Sequence, residues 1–233
     1  MTTKYTKVTC RMCQNFNDSI FSKVTDAEME ELSGLKKSMF FRKGEVILEE
    51  GQNPKGVFCL KTGKCKLFTR GFNGKEQILR IVQAGDIIGY RSLLSEEQFS
   101  ASVVALEDTW TCFISEIYFT KILTHNPKLN REIMRVAMHE LGEAGKQITS
   151  LAQKTVRERL ADKFLHLEEK MGVDDEGFID ISLTREEIAN VIGTATESAI
   201  RLISEFKLDN LIEVEGRRFR LLNKECLKKI STF

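Results

Sequence analysis

The sequence predicts an α+β chain in three successive parts: a β-rich N-terminal region, one long helix, and a small mixed C-terminal region. Three observations predict it. Turn signals punctuate short apolar runs about every 8–12 residues between Met39 and Thr111, the texture of a sandwich or barrel of short antiparallel strands. After Asn126-Pro127 the apolar spacing becomes helical and stays so for several turns. Near the C-terminus, two short helical stretches are separated by Gly193 and followed by a hairpin pattern.

In the first part, residues 1–20 show little periodicity and carry the pair Cys10-Arg11-Met12-Cys13. A helix is expected from about Thr25 to Lys37, with Thr25 as N-cap and Glu28 closing a capping box. The strand candidates are Val46-Ile47-Leu48, Val57-Phe58-Cys59-Leu60, Cys65-Lys66-Leu67-Phe68 and Ile78-Leu79-Arg80-Ile81-Val82. Asn73-Gly74 is the strongest hairpin signal, because both residue types tolerate positive φ.

The central helix carries Ile133, Ala137, Leu141, Ala144, Ile148, Leu151 and Thr155 at spacings of four and three. That is a narrow seam of the coiled-coil kind. It predicts pairing with a second copy across a two-fold axis; the competing reading is a helix that packs on its own β region. Gly142 and Gly145 near its middle either soften the helix or allow close approach of two such helices. The expected boundaries are 1–125 for the β region, 126–155 for the central helix and 156–233 for the C-terminal region.

A further helix is expected from Val156 to Met171, and then strand, helix, turn, helix and hairpin over residues 178–233. Thr184 and Glu187 form a capping box at the first of the two short helices, whose apolar face is Ile188, Ala189 and Ile192. Gly193 breaks it, and Thr194-Ala195-Thr196-Glu197 opens the second. This is a helix-turn-helix, and the strands around Glu215-Gly216 make a wing. The second helix of such a motif enters the major groove and meets base edges with its N-terminal side chains. Thr196, Glu197, Ser198 and Arg201 sit there, with Thr184 at the start of the first helix. Glu197 and Arg201 are four apart and share a face. Arg binds guanine through two hydrogen bonds, and a carboxylate accepts from cytosine N4. The competing reading makes Thr194-x-x-Glu197 an ordinary capping box and Glu197–Arg201 a surface ion pair. Arg217, Arg218 and Arg220 on the wing are candidate phosphate contacts, or else charged edges of a solvated hairpin.

Composition bounds the reading. The 233 residues are 42% hydrophobic and 30% charged, ordinary values for a globular chain. No apolar run reaches the roughly 20 residues of a membrane span, and Met1–Val8 has no apolar core of a secretory signal. The expected location is therefore the cytoplasm, with no membrane partner and with cysteines as thiols or metal ligands. Net charge is only +1, so a DNA-binding surface must be a local patch. No nucleophile elbow, Gly-rich phosphate loop or paired-carboxylate constellation is present, so no enzyme activity is expected.

Taken together, Lys43-Gly44-Glu45 through Gly85-Asp86-Ile87-Ile88-Gly89, the central helix, and Thr184–Arg201 with the wing resemble the CRP/FNR family of bacterial regulators. The Gly-Asp-Ile-Ile-Gly-Tyr segment and Glu197-x-x-x-Arg201 are the most specific parts. The resemblance implies a cyclic-nucleotide-binding-like β-roll (a jelly-roll type double-stranded β-helix), a central dimerisation helix and a C-terminal winged helix-turn-helix. It also implies a homodimer on a two-fold symmetric DNA operator, RNA polymerase as a partner, and a signal sensed at the β-roll.

In that comparison the effector pocket falls at Gly89, Tyr90, Arg91, Phe99 and Ser100. Members that bind cyclic nucleotides carry Gly-Glu where this chain has Gly89-Tyr90, and Arg-Ser or Arg-Thr where it has Phe99-Ser100. A buried cyclic phosphate without a cation is costly, and Arg91 stands out of place, so cyclic AMP or cyclic GMP in the familiar mode is not expected. The oxygen-sensing branch holds an iron–sulfur cluster on three N-terminal cysteines and one in the β-roll. Cys10, Cys13 and Cys112 resemble three of the four, while Ser19 stands near the remaining position. Either a degenerate cluster or other metal site survives there, or the thiols are a remnant. Cys59 and Cys65 are expected as small core residues, and Cys226 has no evident partner. Any one of His125, His139 and His166 could ligate a haem iron in a dimeric sensor, though their spacing gives no support for it. The leading reading is a DNA-binding regulator. The alternative is a redox- or metal-sensing module built on Cys10, Cys13 and Cys112, whose helix-turn-helix no longer reads DNA.

Overall fold

A computed structural model describes residues 13, 15–17 and 19–232. Two compact units divide them. One comprises the described residues up to Thr69 together with Arg80–Gly142; the other comprises Arg70–Leu79 together with Glu143 onward.

The first unit includes a 3-10 turn, Ile20–Lys23, and helix α1, Asp26–Leu35. Thr25 and Glu28 make the expected capping box, each side chain accepting from the other's backbone N–H. Two four-stranded antiparallel sheets follow. One has the order β1 (Lys37–Phe41), β8 (Thr109–Ser115), β3 (Gly56–Thr62), β6 (Ile87–Ile88). The other has β2 (Val46–Leu48), β7 (Ser102–Ala105), β4 (Lys64–Arg70), β5 (Glu76–Gln83). Between them Leu48, Phe58, Leu60, Val82, Ile88 and Val103 form one core. Strand β3 alternates its faces, so Val57 and Cys59 turn to a second core, shared with α1 and two helices that follow the sheets. The four strand candidates coincide with β2, β3, β4 and β5.

The Asn73-Gly74 hairpin forms, with one correction. Only Gly74 has positive φ, at 75°. Gly74 N–H bonds Gly71 O at 2.9 Å and Gly71 N–H bonds Lys75 O at 2.9 Å. This is a longer loop ending in one left-handed residue, not a two-residue turn with both residues left-handed. Asn73 instead accepts from Lys75 N–H through its side chain.

Two short helices of this unit were not anticipated: α2 (Tyr90–Leu94) and α3 (Glu116–His125). Helix α2 is one turn with Gly89 at φ 84° as its cap, too short to show periodicity in sequence. Helix α4 runs from Pro127 to Gln153. Leu129 and Ile133 are buried in the second core, and Val136 and Ala137 pack beside it. Met134, Met138, Leu141, Ile148 and Leu151 are exposed, Leu141 by 66% and Ile148 by 68%. The helix thus carries two apolar stripes. Ile133 and Ala137 of the predicted seam belong to the buried one, and the exposed one begins a residue later, at Met134. Thr155 is not part of the seam: it lies beyond the helix and caps the next one through a capping box with Glu158.

In the second unit, α5 (Val156–Met171) buries Leu160, Ala161, Phe164 and Leu167 and ends at Gly172. The strand expected near residue 178 is only an isolated bridge between Val173 and Ile179. Helices α6 (Arg185–Ile192) and α7 (Thr196–Leu208) follow, then β9 (Ile212–Glu215) paired with β10 (Arg218–Leu221). A final helix, α8 (Lys224–Ser231), was missed in the sequence. Its single buried anchor is Leu227, too little for a readable stripe.

Candidate nucleic-acid interface

Local rules build the helix-turn-helix. Thr184 accepts from Glu187 N–H at 3.1 Å, while the Glu187 carboxylate accepts from Thr184 N–H at 2.8 Å. Gly193 closes α6 in the left-handed region at φ 67°, where only glycine is unstrained. The turn is then held by a residue that pattern reasoning passed over. From α5, Arg159 donates through Nε to Ile192 O at 2.8 Å, through Nη2 to Gly193 O at 3.3 Å and through Nη1 to Lys154 O at 2.7 Å. Its charge meets the open carbonyl end of α6, where a cation is favoured.

Helix α7 buries Ala199, Leu202, Ile203 and Phe206. The opposite face, with Glu197, Ile200, Arg201 and Ser204, is exposed, while Thr196 and Ser198 are half-buried. The Thr194–Glu197 capping box does not form: the N-cap is Ala195 and no side chain caps the helix. The first-turn N–H groups and the Glu197 side chain are therefore not consumed by a cap. The expected Glu197–Arg201 pairing is replaced by another. Arg201 Nε lies 3.8 Å from Glu205 Oε1, one turn further along, and Glu205 also accepts from Arg157 at 3.1 Å.

The wing arginines divide by partner. Arg218 pairs with Asp174 at 2.7 Å, Glu176 at 2.7 Å and Glu215 at 3.5 Å, and lies over the Phe178 ring. Its hydrogen bonds to Asp174 and Glu176 hold the guanidinium above its ordinary pKa, and the same contact holds Asp174 below the usual carboxylate value. Arg220 pairs with Glu213 at 3.0 Å. Arg217, in the two-residue loop with Gly216, is exposed.

In the β-roll, the expected effector residues fall into separate environments. Tyr90 is buried in the core beside α4. Burial raises its phenol pKa, and the Glu140 carboxylate it bonds raises it further. Glu140 in turn pairs with Arg80. Phe99 is buried between the two sheets and stands 3.3 Å from where a Cβ on Gly89 would lie. Arg91 bonds Ser100 Oγ at 2.6 Å and lies 3.4 Å from Glu97, and both residues are exposed. Tyr90, one residue earlier, points elsewhere.

Cys10 lies outside the described residues. Cys13, Ser19, Cys59 and Cys112 line one narrow cleft with Phe16, Leu32 and Lys36. The Ser19 hydroxyl is buried and donates to Phe16 O at 2.8 Å. Cys59 and Cys112 are direct partners in the β3–β8 register. Cys65 is buried in the core, and burial pushes its thiol up to about 12. Among the described residues, no group of three or more His, Cys, Asp or Glu side chains is placed to hold a metal ion.

Residues 38–126 match the model of the cyclic nucleotide-binding domain, and residues 158–230 match that of the Crp-like helix-turn-helix domain. The chain is 30% identical over 195 residues to electron transport regulator A of Shewanella oneidensis, covering 82% of this chain and 77% of that one. The chain belongs to the CRP/FNR family of transcription regulators. It is also 26% identical to the fumarate and nitrate reduction regulatory protein of Yersinia pestis, over 95% of this chain and 90% of the relative. FixK2 from Bradyrhizobium japonicum shares the fold at a TM-score of 0.77 and 22% identity, covering 85% of this chain and 98% of that one.

As a CRP/FNR protein, the chain is a DNA-binding transcription regulator, with a β-roll, a long helix and a winged helix-turn-helix as its parts. Its relatives are regulators rather than enzymes. Among the described residues no helix is long and apolar enough to cross a membrane.

Proposed function

We propose that this regulator works as a cytoplasmic homodimer that reads a two-fold symmetric operator with the exposed face of α7 and passes a signal from the β-roll to RNA polymerase-dependent transcription. One observation carries the reading of DNA. Helix α7 buries one face and leaves Glu197 and Arg201 on the other, with no side-chain cap at its start. Arg201 reads a guanine in the major groove, Glu197 accepts from a neighbouring cytosine, and Thr196 and Ser198 take phosphate or base contacts. Arg217 takes a phosphate on the wing, and Thr184 positions α6. Arg218 supports the wing from behind, because three carboxylates already share its charge.

A second copy of the chain covers the exposed stripe of α4. Met134, Met138, Leu141, Gly145 and Ile148 follow one another at alternating spacings of four and three, with Gly145 between the two exposed apolar residues Leu141 and Ile148. A Cβ on Gly145 would meet nothing within 4 Å in one chain, so a partner helix can come close there. Boundaries at 126 and 155 describe this helix as a dimerisation segment of its own.

The signal is not a cyclic nucleotide in the familiar mode. Phe99 fills the space beside Gly89, and Arg91 is exposed and shared with Glu97. Family members can bind iron–sulfur clusters or other small ligands. The residues described do not fit a four-thiolate cluster. Ser19 stands where a thiolate is needed, and its buried hydroxyl is spent on Phe16 O. His125, His139 and His166 sit on α3, α4 and α5, and their spacing in the sequence gives haem ligation no support.

The deciding experiment selects duplexes from a random-sequence pool with the full chain, then measures binding of the winner and of its single-base variants by wild type and Arg201→Ala. A two-fold symmetric winner, and a loss confined to one base pair per half-site in the variant, support the reading. Equal affinity of Arg201→Ala for every duplex would sink the base-reading role.

A further inference from the structure

The β-roll pairs two cysteines that lie far apart in the sequence. Cys59 on β3 and Cys112 on β8 face each other in antiparallel register, between the pairs Phe58↔Phe113 and Leu60↔Thr111. Directly opposed residues of an antiparallel pair project to the same face, with Cα atoms about 4.5–5.5 Å apart. A disulfide needs a Cα separation of about 4.4–6.8 Å, and the separation typical of directly opposed residues falls in that range. The face they share is the one that opens on the cleft lined by Cys13, Phe16 and Lys36. Cys59 is half-buried and Cys112 is buried, so an oxidant reaches Cys59 first.

We propose that Cys59 and Cys112 are a reversible cross-strand dithiol–disulfide pair, a redox modification site oxidised by a peroxide. The Cys59 thiolate attacks one peroxide oxygen. The O–O bond breaks, hydroxide leaves, and Cys59 becomes a sulfenic acid. The Cys112 thiolate then attacks the Cys59 sulfur, the S–S bond forms, and a second hydroxide leaves. The two thiol protons convert both hydroxides to water. Two thiols and one hydrogen peroxide give one disulfide and two waters, and a low-molecular-weight dithiol reverses the change. Reversible disulfides of this kind are the sort that act in reducing compartments as sensors rather than as structural staples. Strands β3 and β8 form the centre of their sheet, and β3 also pairs with β6, which leads into Gly89 and α2. A bond across that pair locks the register beneath the Tyr90–Glu140 contact with the central helix.

The test uses the full chain, reduced and then treated with hydrogen peroxide, followed by alkylation of remaining thiols and peptide mass mapping without reductant. The expected result is a cross-linked species joining the peptides of residues 59 and 112, a loss of two alkylatable thiols per chain, and full recovery with dithiothreitol. Cys59→Ser and Cys112→Ser should each abolish the cross-link, and Cys13→Ser should retain it. Should either variant fail to fold, the mapping on wild type alone still decides. Continued alkylation of both Cys59 and Cys112 after peroxide would overturn the proposal, as would a disulfide joining either of them to Cys13.

Discussion

Arg201 sets its guanidinium Nε 3.8 Å from Glu205 Oε1, one helical turn toward the C-terminus, and not against Glu197. The pairing leaves the guanidinium largely exposed, with a side chain 75% accessible, on the face away from the core. A surface pair of this kind contributes little to stability, about 0.3–0.5 kcal/mol at helix spacing, so the base contact proposed for Arg201 would cost little to make.

Arg201→Ala should weaken binding to the selected operator by about 1–3 kcal/mol and relax preference at one base pair. Arg201→Lys should recover phosphate attraction but not discrimination, because an ammonium lacks the two-pronged geometry. Arg217→Ala should weaken all duplexes alike and reduce the slope of log affinity against log salt by about one. Fluorescence anisotropy titrations at several salt concentrations distinguish these outcomes.

Gly193→Ala should destabilise the second unit. The residue sits at φ 67°, a region that costs a side chain about 1–2 kcal/mol, and its Cβ would lie 2.8 Å from Leu151 Cδ2. A lowered thermal midpoint with operator binding weakened in parallel is the expected pattern. An unchanged midpoint would mean that the turn is more tolerant than its geometry indicates.

Arg159→Ala removes three donors from the carbonyl end of α6 and the residues around it. Hydrogen bonds from a charged group are worth about 1.5–3 kcal/mol, and a loss of that order is expected in denaturant unfolding. Arg159→Lys should recover only part of it, since one ammonium cannot span Lys154 O, Ile192 O and Gly193 O together.

The wing should loosen in acid. Arg218 holds the Asp174 carboxyl below its ordinary value of 3.8. A carboxylate with a depressed folded-state pKa contributes stability above its unfolded value and loses it as pH falls through the folded one. The contribution is therefore intact near neutrality and fades below about pH 4. Asp174→Asn should remove that part of the acid dependence. Amide chemical shifts of residues 213–220, followed against pH in both proteins, provide the measurement.

Leu141→Glu and Ile148→Glu place charges on the exposed stripe of α4, where nothing in one chain is disturbed. Sedimentation should show a monomer for each variant, with circular dichroism unchanged and operator affinity strongly reduced. A dimer that survives both substitutions would remove the stripe from the interface.

Much of the helix-turn-helix was legible because its determinants are local. Thr184 and Glu187 cap across three residues, Gly193 acts through its own φ, and the buried positions of α7 repeat at helical spacing. The same locality misled at Thr194-x-x-Glu197, where the spacing of a capping box is present but the helix is entered one residue later, with Ala195 as its N-cap. In the central helix, spacing alone merged two stripes, because Ile133 and Met134 are adjacent and only burial separates them. The short helices α2 and α8 offered too few apolar positions to announce themselves.

The sequence by itself determined the order of the three parts, four of the eight strands of the β-roll, and the face of α7 that carries Arg201. Those follow from capping, turn chemistry and periodicity, which act over a few residues. Only the tertiary structure decided that Arg159 closes the turn, that Arg218 is held by Asp174 while Arg217 is exposed, and that Cys59 lies opposite Cys112. Each joins residues that neither spacing nor propensity relates. Strand register and helix docking set those distances, and both depend on how the whole apolar surface packs.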